Sequence, residues 1–192
     1  FLASKIMKKK FIIIFYTIFI FAYSNAMAYE EAGYDIVKSN DIYEIRKYSD
    51  RLAVQVVSVS GNSSFRKLFN YISGQNQKNQ EIKMTTPVTE MEKAGNMTMQ
   101  FYLPSKFNKD NAPIPTSSDV EVINIEGGYY AVIRYSGRAS DRNFIKHKKI
   151  LEAELSKDNI LIKSAAIKAT YNGPFTLPMM RRNEAMFKVE YK

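Results

Sequence analysis

The chain has no cysteine and a single histidine, His147, among 192 residues. Disulfides, thiolate metal sites and a cysteine nucleophile are thereby excluded, and no group of imidazoles can assemble around a metal. Other catalytic signatures are missing as well. No serine sits in a nucleophile elbow, so a Ser-His-Asp arrangement would have to draw on His147 from the middle of a helical pattern. Gly127-Gly128 reads as a turn, and there is no glycine-rich phosphate loop. The acids are scattered, without an evident pair for acid–base work. The basic residues form no stripe interleaved with stacking aromatics, which argues against a nucleic-acid partner. These absences set the expectation of a non-enzyme whose fold rests on its core alone, and 13 Tyr and 12 Phe supply large, flat groups to build it.

The N-terminus carries its own pattern. Met7 is followed by Lys8, Lys9 and Lys10. Residues 11–23, in which only Thr17 is polar, come next, and then Ser24, Asn25 and Ala26-Met27-Ala28. A basic start, a short apolar run and an A-x-A site define a secretory signal. As a helix the run would span ~20 Å against a hydrocarbon core of ~30 Å. Cleavage after about Ala28 is therefore expected, although an uncleaved anchor is the alternative. Residues 1–6 precede Met7 and are read as outside the working protein, and no cysteine near Ala28 offers a site for lipid attachment. The expectation is an exported protein, periplasmic or secreted, with no stable membrane insertion once the signal is gone. The net charge is +9, and the first 28 residues hold Lys5, Lys8, Lys9 and Lys10 and no acid, which leaves a mild +5 over residues 29–192. That excess favours anionic ligands without singling one out.

Residues 29–192 are one domain's worth of chain. Residues 36–48 read as two short strands around Ser39-Asn40-Asp41, and residues 52–59, with Val54, Val56, Val57 and Val59, as a strong strand. Phe65, Leu68, Phe69 and Ile72 then fall at i, i+3, i+4 and i+7, which predicts a helix ended by Gly74. Residues 82–92 are extended around Pro87, and residues 97–103 alternate with Met97, Met99, Phe101 and Leu103 on one face. After a polar connection over residues 104–119 the pattern restarts. It has strands over 120–125 and 129–135, a helix from about Ser140 to Ser156, and closing strands over 165–171 and 184–191. Each half offers a strand, a Ser-Gly break, an amphipathic helix and two more strands. This reads as an internal duplication of a β-α-β-β unit. The predicted fold is α+β: a pseudo-twofold repeat forming a distorted antiparallel β-barrel with two helices.

Three features carry candidate chemistry. Residues 83–88, Lys-Met-Thr-Thr-Pro-Val, are either an edge or bulge that tolerates proline or something more specific. Residues 174–184 place Phe175, Leu177, Met179 and Met180 on a Pro-stiffened loop ahead of Arg181 and Arg182. Such a loop either caps the barrel or forms an adaptable apolar wall with cations at its mouth, suited to a flat, apolar, anionic ligand. His147 flanks the apolar face of the second helix, either as a rim histidine or as an axial ligand to a metal macrocycle.

The chain closely resembles the SOUL haem-binding protein family. The matching runs are residues 43–48 (Tyr-Glu-Ile-Arg-Lys-Tyr), 65–74 (Phe-Arg-Lys-Leu-Phe-Asn-Tyr-Ile-Ser-Gly), 82–89 (Ile-Lys-Met-Thr-Thr-Pro-Val-Thr), 101–105 (Phe-Tyr-Leu-Pro-Ser) and 181–184 (Arg-Arg-Asn-Glu), in the family's order. The resemblance implies the two-repeat barrel read above. It also implies binding of haem or a related porphyrin, a small-molecule tetrapyrrole, in an apolar cleft between the first helix and the loop ahead of the final strand. In this sequence that cleft maps to Phe65, Leu68, Phe69 and Ile72 facing Phe175, Leu177, Met179 and Met180, with Lys67 and Arg181 as propionate partners. Basic residues credited with propionate contact in some members fall here on Asn62, Asn70 and Thr176, and the axial histidine that some members carry before the first helix has no counterpart. Ligation by His147, by a methionine or by no residue stays open. Three functions remain in play: a non-enzymatic haem carrier or scavenger, a general small apolar-ligand domain of the same fold without haem specificity, and a haem-degrading enzyme. No feature of the sequence identifies a protein partner.

Overall fold

A computed structural model describes residues 29–59 and 63–191; the segment read as an export signal lies outside the described residues. Twelve strands and two helices follow one another along the described chain. The strands are β1 (Glu30–Glu31), β2 (Tyr34–Ser39), β3 (Glu44–Tyr48), β4 (Arg51–Ser58), β5 (Thr85–Thr86), β6 (Val88–Lys93), β7 (Asn96–Tyr102), β8 (Glu121–Ile125), β9 (Gly128–Tyr135), β10 (Leu161–Ile162), β11 (Ile167–Thr170) and β12 (Asn183–Glu190). The helices are α1 (Ser64–Ile72), between β4 and β5, and α2 (Asp141–Lys157), between β9 and β10. Ten strands make a single curled antiparallel sheet in the order β2-β3-β9-β12-β11-β6-β7-β4-β8, with β10 added on β12. β1 and β5 form a separate parallel pair, and Pro87 stands in the break between β5 and β6.

The strand order is a palindrome of the two repeats. Exchanging β3 with β8, β4 with β9, β6 with β11 and β7 with β12 turns the path from β3 to β8 into its own reverse. The expected β-α-β-β duplication is therefore present, and each unit has one more strand in front. That leading strand does not pair with its own unit: β3 pairs with β9 and β8 pairs with β4. The turns that join them cross at Asp50 and Gly127, which are 77 residues apart. The same spacing relates Glu44 to Glu121, Arg51 to Gly128 and Ser64 to Asp141, the starts of matching elements. At the crossing a Cβ on Gly127 would lie 2.5 Å from the Tyr48 carbonyl oxygen, so only glycine fits. The Gly127 N–H donates to Asp50 Oδ1 at 2.9 Å and Asn124 donates to Oδ2 at the same distance, and these bonds hold the Asp50 carboxyl below its usual range.

Alternation along the strands sorts side chains between two faces. Both helices pack on one face. Leu52, Val54, Val56 and Phe101 meet Leu68, Tyr71 and Ile72 of α1, while Ile45, Ala131, Ile133, Ala185 and Phe187 meet Leu151 and Leu155 of α2. Burying each of the larger side chains is worth roughly 1.5–3 kcal/mol. The opposite face holds Tyr48, Tyr130, Ile167, Tyr171 and Met186. α1 ends as its sequence predicts. Gly74 adopts φ +105°, its N–H donates to Tyr71 O and the Gln75 N–H donates to Asn70 O, which is a Schellman closure. α2 begins with Ser140 accepting from the Asn143 N–H, and Asp141 and Lys157 complement the helix dipole at its two ends.

Candidate functional site

The apolar stripe of α1 divides between two jobs. Leu68 is 0% exposed and Ile72 is buried under Ile82, whose N–H donates to the Ile72 carbonyl at 2.8 Å. Both belong to the core beneath the helix. Phe65 and Phe69, one turn apart, face outward and are each 49% exposed. Their rings stack at 6.1 Å with an interplanar angle of 11°, and Phe65 sets its ring against Phe101 at 5.2 Å and 66°. Phe101 is buried, so it fixes the pair from below. The result is a pair of parallel aromatic rings held in place and open to solvent. Beside it on the helix, the Lys67 ammonium sits 2.7 Å from Asp119, with both side chains partly exposed.

The loop ahead of β12 exposes Phe175 (99%), Leu177, Met179 and Met180. A 3-10 turn at Pro178–Met180 shapes it. Arg181 braces the loop from within: Nε donates to Thr176 O at 2.7 Å and Nη2 to Pro174 O at 2.6 Å. The Gly137 N–H donates to Pro178 O at 2.8 Å and ties the loop to the entrance of α2. Among the described residues, no hydrogen bond, ion pair or ring contact joins this loop to α1. Both apolar groups are exposed: the aromatic pair is backed by Phe101, and the loop is braced by Arg181.

The Arg-Arg-Asn-Glu run that closes the loop does more inside the sheet than at its surface. Glu184 is fully buried and accepts from Arg46, from Arg182 Nε at 3.0 Å and from the Tyr171 hydroxyl at 2.7 Å. Arg182 also lays a two-pronged pair on Glu31 at 2.9 and 2.8 Å and stacks on the Tyr171 ring at 3.7 Å. Asn183 donates to Gly137 O at 3.1 Å. Burial pushes the Tyr171 hydroxyl well above its usual range, and the adjacent Glu184 carboxylate adds to it. Residue types in the sequence marked charge here, but the partners Glu31 and Arg46 lie far away in the chain and no local pattern announces them.

His147 lies on α2, which packs on β9 and β12, whereas α1 packs on β4 and β7. Its ring stacks on Tyr135 at 4.0 Å and 4°. Nδ1 lies 2.8 Å from the Asn143 carbonyl oxygen, which can only accept, so Nδ1 is the donor in this bond. Among the described residues there is no group of three or more His, Asp or Glu placed to hold a metal ion, and no helix is long and apolar enough to cross a membrane.

Comparison with known proteins agrees with this architecture. A human protein named "Heme-binding protein 2" is 31% identical over 156 residues, covering 74% of this chain and 75% of its own length. The mouse protein of the same name is 31% identical over 174 residues, covering 80% and 81%. Both names describe binding, not catalysis. The crystal structure of an uncharacterized conserved protein from Listeria innocua superposes with a TM-score of 0.60 at 8% identity, over 79% of this chain and 94% of that one, a likeness of fold alone. The model of the SOUL heme-binding protein matches residues 29–188, and the chain belongs to the SOUL heme-binding protein family.

Proposed function

We propose that this protein binds haem or a related porphyrin without acting on it, and that it does so outside the cytoplasm as a carrier or scavenger. The observation that carries the reading is the Phe65–Phe69 stack: two parallel, half-exposed rings held by Phe101 on the helix that the sequence reading expects to border the ligand. Relatives named for haem binding support the choice of ligand. A porphyrin is flat and apolar with anionic propionates. It can lie against the two rings while Lys67, turning from Asp119, meets a propionate. Met179 and Met180 offer exposed, adaptable thioethers on the loop. Arg181 is engaged with its own loop's carbonyls and serves the site by shaping that loop. Haem brings its iron's redox and axial-ligand chemistry when bound; the residues named here supply apolar contact and charge pairing.

Titrating the purified protein with haemin and with protoporphyrin IX tests the reading. A saturable Soret shift with haemin is the expected result, and His147→Ala is expected to leave it unchanged. Binding of neither compound would sink the proposal and leave a domain for other apolar ligands. Loss of the Soret band under reductant and oxygen, with a bilin product formed faster than from free haem, would favour a degrading enzyme. Export rests on residues 7–28, and the mass of the protein recovered outside the cytoplasm should begin at about Tyr29.

A further inference from the structure

We infer that Arg51 and the cavity in front of it form a second ligand site, built for a small amphipathic carboxylate. Arg51 opens β4, beside the crossing of the two repeat turns. Its guanidinium carbon lies 4.2 Å over the Tyr48 ring, 4.4 Å over Tyr102 and 5.8 Å from Tyr130. Three rings surround the cation, but no counter-charge does. Among the described residues Arg51 makes no ion pair, and its Nε is buried without a hydrogen-bond partner. The neighbouring arginines differ: Arg46 and Arg182 are neutralised by Glu44, Glu184 and Glu31. Burial raises the Tyr130 hydroxyl above its usual range, against the lowering pull of the adjacent Arg51 charge. A guanidinium packed among aromatic rings, with no acid paired to it, is a receptor for a planar two-oxygen anion.

The space before it suits such a ligand. A cavity of about 630 Å³ is walled by Arg51, Leu52, Tyr102, Leu103, Pro104 and Phe107, with Lys47 as a second cation. The volume lies in the range of small-molecule sites. Glu30, Asp35 and Asp50 also border it, but none of them forms an ion pair with Arg51. Glu30 accepts from the Ser105 N–H at 2.6 Å, Asp50 is held by Gly127 and Asn124, and Asp35 is exposed on β2 opposite Lys47. A carboxylate at Arg51 places its apolar body along Leu52, Leu103, Pro104 and Phe107. None of these residues belongs to the Phe65–Phe69 surface, so the inference stands independently of haem binding.

The probe is 11-(dansylamino)undecanoate, whose fluorescence rises on entering an apolar site, with its methyl ester as the uncharged control. The full protein should bind the acid saturably, one per chain, and the ester at least about tenfold more weakly. Arg51→Met should weaken the acid by a similar factor and leave the ester unchanged, with Arg51→Lys intermediate. The Phe65→Ala/Phe69→Ala protein should bind the acid as before, which separates this site from the haem surface. Equal affinity for acid and ester, absence of binding, or loss of the acid in the Phe65→Ala/Phe69→Ala protein would each overturn the inference. The acid–ester comparison needs no substitution, so a misfolded Arg51 variant would not protect the idea.

Discussion

Arg46 reaches 138 residues along the chain to set Nη1 at 3.1 and 3.0 Å from the two carboxylate oxygens of Glu184, and both side chains are buried. Burial works against the Arg46 charge, but Glu184 outweighs it, and the guanidinium is held above its ordinary range. Glu184 is also the shared acceptor for Arg182 and Tyr171.

Glu184→Gln would remove the buried acceptor that Arg46 and Arg182 share, leaving them only the less buried Glu44 and Glu31, and breaking a buried pair by removing one partner costs roughly 3–5 kcal/mol. Tyr171→Phe removes one bond to a charged acceptor, about 1.5–3 kcal/mol. Urea unfolding should rank the two variants in that order below wild type.

The division of the α1 stripe predicts opposite phenotypes one residue apart. Phe69→Ala, at a half-exposed position, should change stability little and weaken haemin binding by about tenfold. Leu68→Ala, in the core, should cost about 2–5 kcal/mol and affect haemin only through folding. Parallel Soret titrations and denaturation curves distinguish them.

Gly127→Ala should destabilise strongly, because the added methyl meets the Tyr48 carbonyl at 2.5 Å and backbone on both sides must move. About 1–3 kcal/mol is the usual cost of such overpacking. Gly173→Ala, where a Cβ meets nothing within 4 Å, is the control expected to unfold like wild type.

Alkaline pH should expose the buried tyrosines. Tyr48 and Tyr71 are pushed up to about 12 by burial, against an ordinary value of 10.0. A group whose folded value is raised adds stability that is complete below its unfolded value and is lost as pH rises through the folded one. Stability should therefore fall between about pH 10 and 12. Phenolate absorbance should show exposed tyrosines ionising first and these two only as the protein unfolds.

Much of this fold is legible in the sequence. The alternation of residues 97–103 and the i, i+3, i+4, i+7 spacing from Phe65 place β7 and α1 within a residue of where they occur. β1 and β10 escape notice because two residues carry no periodicity. The repeat is visible as a pattern, but the exchange of β3 and β8 is a long-range pairing with no local mark. The stripe of α1 can be read, yet periodicity alone does not say that Leu68 turns in while Phe69 turns out. The loop cations can be read too, but the engagement of Arg181 by its own carbonyls and of Arg182 by Glu31 depends on chain reversal. Arg51 is silent in sequence, since a missing counter-charge exists only in three dimensions.

The exchanged leading strands bear on how such a chain can arise and be divided. One repeat by itself would carry a leading strand that does not join its own unit's sheet, and that sheet would have two open edges. Two identical copies, set about a dyad, could satisfy each other through the same β3–β9 and β8–β4 contacts. The single chain is thus a covalently joined, strand-swapped homodimer in geometry. Cutting it in the polar connection between β7 and β8 should yield fragments that regain structure only when mixed.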